Sequence, residues 1–148
     1  PESKVEIVTG SNCVLCLEIH DTRMVGEVGF DLEIMGVFNR HKVSYISKMT
    51  NANTIDLIIE EKDCTQGLIN ELNSQFERVT TKTVAIVCAI GSNIAQPGIM
   101  AKAAQALAKD GINILAVSQT TRQTNMQFIV QREHFAKAQK ALHTALCH

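Results

Sequence analysis

The sequence predicts an α+β fold built from two copies of one small unit, and three observations predict it. Helical patterns opened by Gly29-Phe30 and by Gly98-Ile99 lie 69 residues apart, close to half of the 148. Each pattern ends near a turn and runs into an extended stretch, Val43-Ser44-Tyr45-Ile46 in the first half and Ile112-Asn113-Ile114-Leu115 in the second. Around both, the apolar periodicity follows one order: strand, helix, strand, strand, helix.

The first half reads as follows. Lys4-Val5-Glu6-Ile7-Val8 alternates and is rich in β-branched residues, so it predicts a short strand. Thr9-Gly10-Ser11-Asn12 is a turn cluster, and Val14–Ile19 a second strand. A polar loop from His20 to Val28 leads to a helix with Phe30, Leu32, Ile34, Met35, Val37 and Phe38 as its apolar residues, ending around Asn39–His41. Val43–Met49 is a strand, Asn51-Ala52-Asn53 a turn and Ile55–Ile59 a strand. Leu68, Ile69, Leu72 and Phe76 mark a second helix, and Val79 lies in a short extended stretch.

The second half repeats the order. Val84–Ile90 is a nearly continuous apolar strand, Gly91–Pro97 a loop, and Gly98–Asp110 an alanine-rich helix stopped by Gly111. Ile114–Val117 is a strand, Thr120–Thr124 a turn, Met126–Val130 a strand. A last helix covers about Glu133–Cys147, with Phe135, Ala138 and Leu142 on one side. The βαββαβ order is that of the ferredoxin-like plait, an antiparallel sheet with two helices on one face. The second half lacks a sixth element and the first has an extra strand in front. A bare sheet edge invites wrong pairing. The N-terminal strand is therefore expected to cross over and complete the second half's sheet, giving a first unit over 10–80 and a second over 81–148 with strand 4–8.

Fourteen basic against fifteen acidic residues leave a net charge of −1. No basic field is available to hold a phosphate backbone, so nucleic acid is not an expected partner. Nor does any apolar run suffice to span a bilayer, and a membrane is not an expected partner either. The opening Pro1-Glu2-Ser3, without an initiator Met, is expected of a piece of a longer protein. Five cysteines, an odd number, point to reduced thiols and a cytoplasmic location. Cys13 and Cys16 form a C-x-x-C, but on a strand residues three apart face opposite sides, and nothing completes a metal set. The five histidines (His20, His41, His134, His143, His148) read as solvated surface residues, and no metal site is expected.

Catalytic signatures are missing: there is no phosphate-cradling glycine loop, no G-x-S-x-G and no H-E-x-x-H. An RNA reader on this plait would need aromatics on its central strands, and Val84–Ile90 has none. An acyl-phosphate hydrolase would need an Arg and an Asn converging on a cradle. Arg23 lies in a loop, but that cradle is absent. What remains is the loop before the first helix of each half, His20–Gly29 and Gly91–Gly98. Glycine lets backbone approach a ligand, and each loop feeds a helix N-terminus whose open N–H groups attract a carboxylate.

At these loops the chain resembles the ACT domain, an amino-acid-sensing module, and in particular the paired ACT domains in the C-terminal regulatory part of aspartate kinases. The stretches that carry the resemblance are Met24-Val25-Gly26 through Gly29-Phe30-Asp31, Val43–Ile46 and Asn51-Ala52-Asn53-Thr54 in the first half. In the second they are Gly91-Ser92-Asn93-Ile94 with Gln96-Pro97-Gly98-Ile99, Gly111-Ile112-Asn113-Ile114, Ser118-Gln119 and Asn125-Met126-Gln127-Phe128. The resemblance implies a parent enzyme that phosphorylates the side-chain carboxylate of aspartate with ATP and Mg, the first step toward lysine, threonine and methionine. On that reading this segment is non-catalytic and needs no cofactor. Its partners are an amino-acid effector, the kinase domain and a second copy in a homodimer.

Carried over residue by residue, one effector site uses Asn93, Ile94, Gln96, Pro97, Gly98 and Ile99, with Asn113, Ile114, Gln119, Asn125 and Gln127. A second uses Met24, Gly29, Phe30 and Asp31, with Ser44, Tyr45 and Ile46. Backbone N–H groups at Gly98-Ile99 would bind the α-carboxylate, carbonyls at Asn113-Ile114 the ammonium, and the amides would orient the ligand. Glu27 and Asp31 make the first loop acidic, which suits the ammonium of lysine. The second loop is uncharged and favours a small amino acid, threonine ahead of lysine. A competing structural reading is a pair that assembles a dimer and binds nothing.

Overall fold

The computed structural model describes residues 4–92, 94, 98–119 and 125–147. In chain order the elements are β1 (Lys4–His20), α1 (Phe30–Arg40), β2 (Ser47–Thr50), β3 (Thr54–Glu60), α2 (Gln66–Gln75), β4 (Arg78–Ser92), α3 (Ile99–Lys109), β5 (Ala116–Gln119), β6 (Asn125–Gln131) and α4 (Phe135–Leu146). Short 3-10 turns stand at Thr22–Met24, Glu61–Asp63 and Arg132–His134. The chain divides into two compact units, Cys13–Thr83 and the described parts of Pro1–Asn12 with Val84–His148.

In the unit of residues 13–83, β3 lies between β2 and β1, all antiparallel. The β1–β3 ladder runs from Val14↔Glu60 to His20↔Thr54. Leu17, Ile19, Leu57 and Ile59 point to one face of this sheet, where Ile34, Val37 and Phe38 of α1 and Leu68 and Leu72 of α2 close the core. Burying such side chains fully contributes about 1.5–3 kcal/mol each, and the i, i+3, i+4 spacing on the helices makes this possible. Leu32, expected on the apolar face of α1, is instead 78% exposed, because its position on the turn falls outside that stripe.

In the other unit β6 lies between β4 and β5, and its ladder to β4 runs from Val84↔Gln131 to Ile90↔Asn125. Ala85, Val87, Met126, Phe128 and Val130 meet Ala103 and Leu107 of α3 and Ala138, Leu142 and Leu146 of α4. Val5 and Val8 belong to this same core. The N-terminal strand therefore completes the second half's sheet, and β1 is the neighbour of β4.

The turn expected at Thr9–Asn12 is strand: β1 is one element from Lys4 to His20. Gly10 acts as a close-approach residue, since a Cβ there would lie 2.2 Å from the Ile86 carbonyl oxygen. Gly91 does the same in reverse, with the Lys4 carbonyl oxygen 2.0 Å from where its Cβ would be. The short extended stretch at Val79 is likewise part of the single β4. Two strands are shorter than expected: Val43–Ile46 is irregular chain before β2, and β5 begins at Ala116, so Asn113 and Ile114 precede it. The turn expected at Thr120–Thr124 lies outside the described residues.

The helix ends repeat to the residue. Lys42 N–H donates to Asn39 O and Val43 N–H to Phe38 O; 69 positions on, Gly111 N–H donates to Ala108 O and Ile112 N–H to Leu107 O. Both Lys42 (φ 56°) and Gly111 (φ 72°) are left-handed, the geometry that turns the chain off a helix.

Candidate functional site

The site begins with the starts of α1 and α3. Each is preceded by a glycine in the left-handed region, Gly29 at φ 98° and Gly98 at φ 97°, and neither start has a side-chain cap. The helix takes up its first bond through the glycine carbonyl, from Glu33 N–H at 3.0 Å and from Lys102 N–H at 2.8 Å. The N–H groups of the first turn have no intrahelical acceptor and carry the positive end of the helix dipole. By contrast α2 is capped internally: Leu68 N–H donates to Thr65 Oγ1 at 3.2 Å. The first turn of α1 holds Asp31 and Glu33, whereas that of α3 has no acidic residue.

The first-half loop is locked from within. Asp21 is fully buried and receives Arg23 Nε at 2.9 Å, Arg23 Nη2 at 2.7 Å, Arg23 N–H at 3.0 Å and Glu77 N–H at 3.2 Å. The Arg23 side-chain bonds hold the Asp21 carboxyl well below the usual carboxylate range. Arg23 also donates to Gln75 O at 3.1 Å and lies 5.6 Å over the Phe30 ring, and Thr22 donates to Glu77 at 2.6 Å. The guanidinium is thus committed to holding the loop, which removes it from the role of phosphate cradle. Asp31 pairs with Lys48 at 2.9 Å. Arg23 was weighed in the sequence only as a hydrolase arginine, and Asp21 and Lys48 did not stand out; the signal for the clamp was an acid–base pair two residues apart in a polar loop.

Among the first-half residues singled out, Gly29, Asp31, Ser44, Tyr45 and Ile46 are exposed. Phe30 is buried in the core and Met24 packs against it, so these two offer a ligand mainly backbone. In the second half, Gly98 is exposed and Ile94 is a core side chain, 1% exposed. Ile99 and Ile114 pack against that core and Asn113 is exposed. Asn125 and Gln127 alternate with core residues Met126 and Phe128, so both lie on the sheet face away from the helices. Asn125 Oδ1 is buried without a hydrogen-bond partner. Gln119 pairs with Met126 and so shares the opposite face; the sheet does not bring it together with Asn125 and Gln127. Asn93, Gln96 and Pro97 lie outside the described residues.

Other titratable groups among the described residues stand in pairs or alone. Glu18 and Asp56 sit directly opposite on β1 and β3. Burial, and then the Glu18 charge, raise the Asp56 carboxyl, whose Oδ1 has no partner. Burial first, with these carboxylates adding to it, pushes the Cys16 thiol up to about 12. Three of the histidines are less solvated than expected: His20 Nδ1 lies 3.2 Å from Thr54 Oγ1, His41 Nε2 lies 2.9 Å from Glu71, and His134 Nδ1 is buried without a partner, whereas His143 is exposed and His148 lies outside the described residues. Each of the three stands where a helix end or strand end folds back onto its unit, which sequence spacing does not reveal. Among the described residues no group of three His, Cys, Asp or Glu could hold a metal ion, and no helix is long and apolar enough to cross a membrane.

The fold is a pair of ferredoxin-like α+β units, and residues 87–146 match the family model of the ACT domain. The chain is 37% identical over 148 residues to the aspartate kinase Ask_Ect of Stutzerimonas stutzeri, covering 96% of this chain and 30% of that protein. It superposes on the ligand-free regulatory subunit of aspartate kinase from Thermus thermophilus with a TM-score of 0.85 at 15% identity, covering 96% of this chain and 97% of that one. On E. coli aspartokinase III in complex with lysine and aspartate, the TM-score is 0.83 at 21% identity, over 99% of this chain and 34% of that one. The chain belongs with the ACT-domain regions of the aspartate kinases. It spans less than a third of the length of the aspartate kinase it matches.

Proposed function

We infer that this chain is the amino-acid-binding regulatory part of an aspartate kinase, exerting feedback control on the first step toward lysine, threonine and methionine. Residues 10–80 form one ACT domain, and 81–148 with strand 4–8 the other. The parent enzyme would transfer phosphate from ATP, with Mg, to aspartate in a domain beyond this segment. The observation that carries this reading is the pair of helix starts at Gly29 and Gly98, left-handed and without a side-chain cap. An α-carboxylate there would satisfy first-turn N–H groups that have no intrahelical acceptor.

The site at Gly98 takes the smaller, neutral effector, with threonine ahead of lysine, since α3 has no acidic residue in its first turn. The site at Gly29, with Asp31 beside it, suits a second ammonium and hence lysine. Binding would bias the kinase by a coupling of about 1–3 kcal/mol, and substrate binding would weaken the effector reciprocally. Val25, Val28, Leu32, Tyr45 and Ile46 are exposed apolar side chains of the first half and supply the surface for a homodimer.

Calorimetry of this chain with threonine, lysine and methionine tests the reading. Threonine should bind, and Gly98→Ala should weaken it at least tenfold while Gly29→Ala leaves it unchanged. Binding of lysine alone would reverse the order of effectors. No heat and no rise in melting temperature with any of the three would favour the assembly-only role, because a ligand of the folded state must stabilise it.

A further inference from the structure

The second half carries a groove between α3 and α4 that the effector reading does not use. It has a volume of about 610 Å³ and a floor of Ala106, Ala141 and Ala145. Lys102 and Lys109 line it from α3, Lys137 and Lys140 from α4, against a single acidic neighbour, Asp110. All four lysines are exposed, while the alanines are half-buried.

The first half shows why the groove is open. There Arg40 and His41 at the end of α1 both reach Glu71 on α2, the histidine at 2.9 Å, and bridge the two helices. Lys109 and Asp110 stand 69 positions after Arg40 and His41, but on α4, where Ala138 and Leu142 take the core places of Leu68 and Leu72, the residue answering to Glu71 is Ala141 on the groove floor. The acid that would close the groove is gone, and Val37 is answered by the smaller Ala106. Charge follows the same division. The residues of the second-half unit count seven Lys and Arg against four Asp and Glu, net +3; those of the first count seven against eleven, net −4.

We propose that the α3/α4 groove is a docking surface for an acidic amphipathic helix of another protein segment. Small residues let a third helix approach closely, as two helices with an apolar trough accept the ridge of a partner. The lining from Lys102 to Asp110 gives a trough about 12 Å long, enough for two turns. Glutamates on both flanks of that helix would meet the two lysine rows, and its leucines the alanine floor. The proposal is independent of the effector sites.

The test uses fluorescence anisotropy with this chain and a labelled 15-residue helical peptide having leucines on one face and glutamates beside them. Binding should weaken about tenfold or more on raising salt from 50 to 300 mM, as screening requires. It should fall at least tenfold in Lys109→Glu/Lys137→Glu, whose exposed positions leave folding intact. Ala141→Leu, which fills the floor without changing charge, should weaken it as well, with an unchanged melting temperature as the control. Equal binding of a scrambled glutamate peptide, or displacement by inorganic polyphosphate with Ala141→Leu silent, would show a mere anion surface and overturn the proposal. Concentration-dependent self-association abolished by the same lysine reversal would overturn it in favour of a second copy of this chain.

Discussion

The two halves share their plan to the residue and differ in what holds them. In the first, long charged side chains do the fastening: Asp21 with Arg23, Asp31 with Lys48, Arg40 and His41 with Glu71. In the second, close approach does it: glycines at 10 and 91 bring β1 and β4 backbone together, and alanines at 103 and 138 let helices settle on the sheet. A loop pinned by a buried carboxylate has little freedom to rearrange around a ligand. The neutral loop before Gly98 has no such counterpart in its sequence, which fits the small-effector site proposed there. One fold has been stabilised by two kinds of chemistry, and they should fail under different conditions.

The largest effect is expected where the second half depends on contact. Gly91→Val puts a side chain against the Lys4 carbonyl and should cost about 3 kcal/mol, read as a fall in thermal midpoint of roughly 6–12 °C. A fall of less than 2 °C would mean that the N-terminal strand does not need this approach.

Acid titration separates the first half from the second and also divides two of its own carboxylates. The folded-state pKa of Asp21 is depressed, so its contribution is full above the unfolded value near 4 and fades as pH falls toward the folded one. Asp21→Asn should therefore lower the melting temperature by several degrees at pH 7, with a gap to the parent that narrows below pH about 4. Asp56 has the opposite sign. Its folded pKa is raised, so the protonated form's advantage is full below about 4 and is lost as pH rises through the folded value. Asp56→Asn should raise stability at pH 7 by up to about 1 kcal/mol, the scale of a like-charge cross-strand pair, and be neutral at pH 3. Parallel behaviour of the two variants across pH would contradict the geometry at Asp21.

The smallest effect tests the repeat itself. Lys42 holds the left-handed position that Gly111 holds in the second half. Lys42→Gly should stabilise by about 1 kcal/mol in urea unfolding, since a side chain is disfavoured there. Gly111→Lys should cost a similar amount.

Periodicity was enough to read the helices, because apolar spacing on α1, α3 and α4 follows the buried stripe, with Leu32 as the exception on α1. Ile55–Ile59 and Met126–Val130 were legible as strands for the same reason. The turn read at Thr9–Asn12 was wrong because glycine marks both a bend and a strand that another strand must touch, and only the neighbour distinguishes them. The strand read at Ile114–Val117 begins later, because pairing to β6 starts at Ala116. In the candidate site, the glycines that start α1 and α3 were visible, and the clamp at Asp21 was not. A carboxylate in a polar loop looks solvated until Glu77 and Arg23 are seen to enclose it.

The sequence by itself determined the duplicated α+β plan, the two glycine-started helices and, by counting strands, the crossover of the N-terminus. These are local or additive properties, carried by backbone propensity and by which side chains avoid water. Tertiary structure alone decided which charges pair, that Ile94 and Phe30 are core while Leu32 is exposed, that Gln119 lies across the sheet from Gln127, and that a lysine-lined groove opens where the first half is bridged. Those outcomes depend on side chains from different elements meeting in space, 17 positions apart for Asp31 with Lys48, 31 for Arg40 with Glu71 and 56 for Glu77 with Asp21, and sequence spacing carries no record of such meetings.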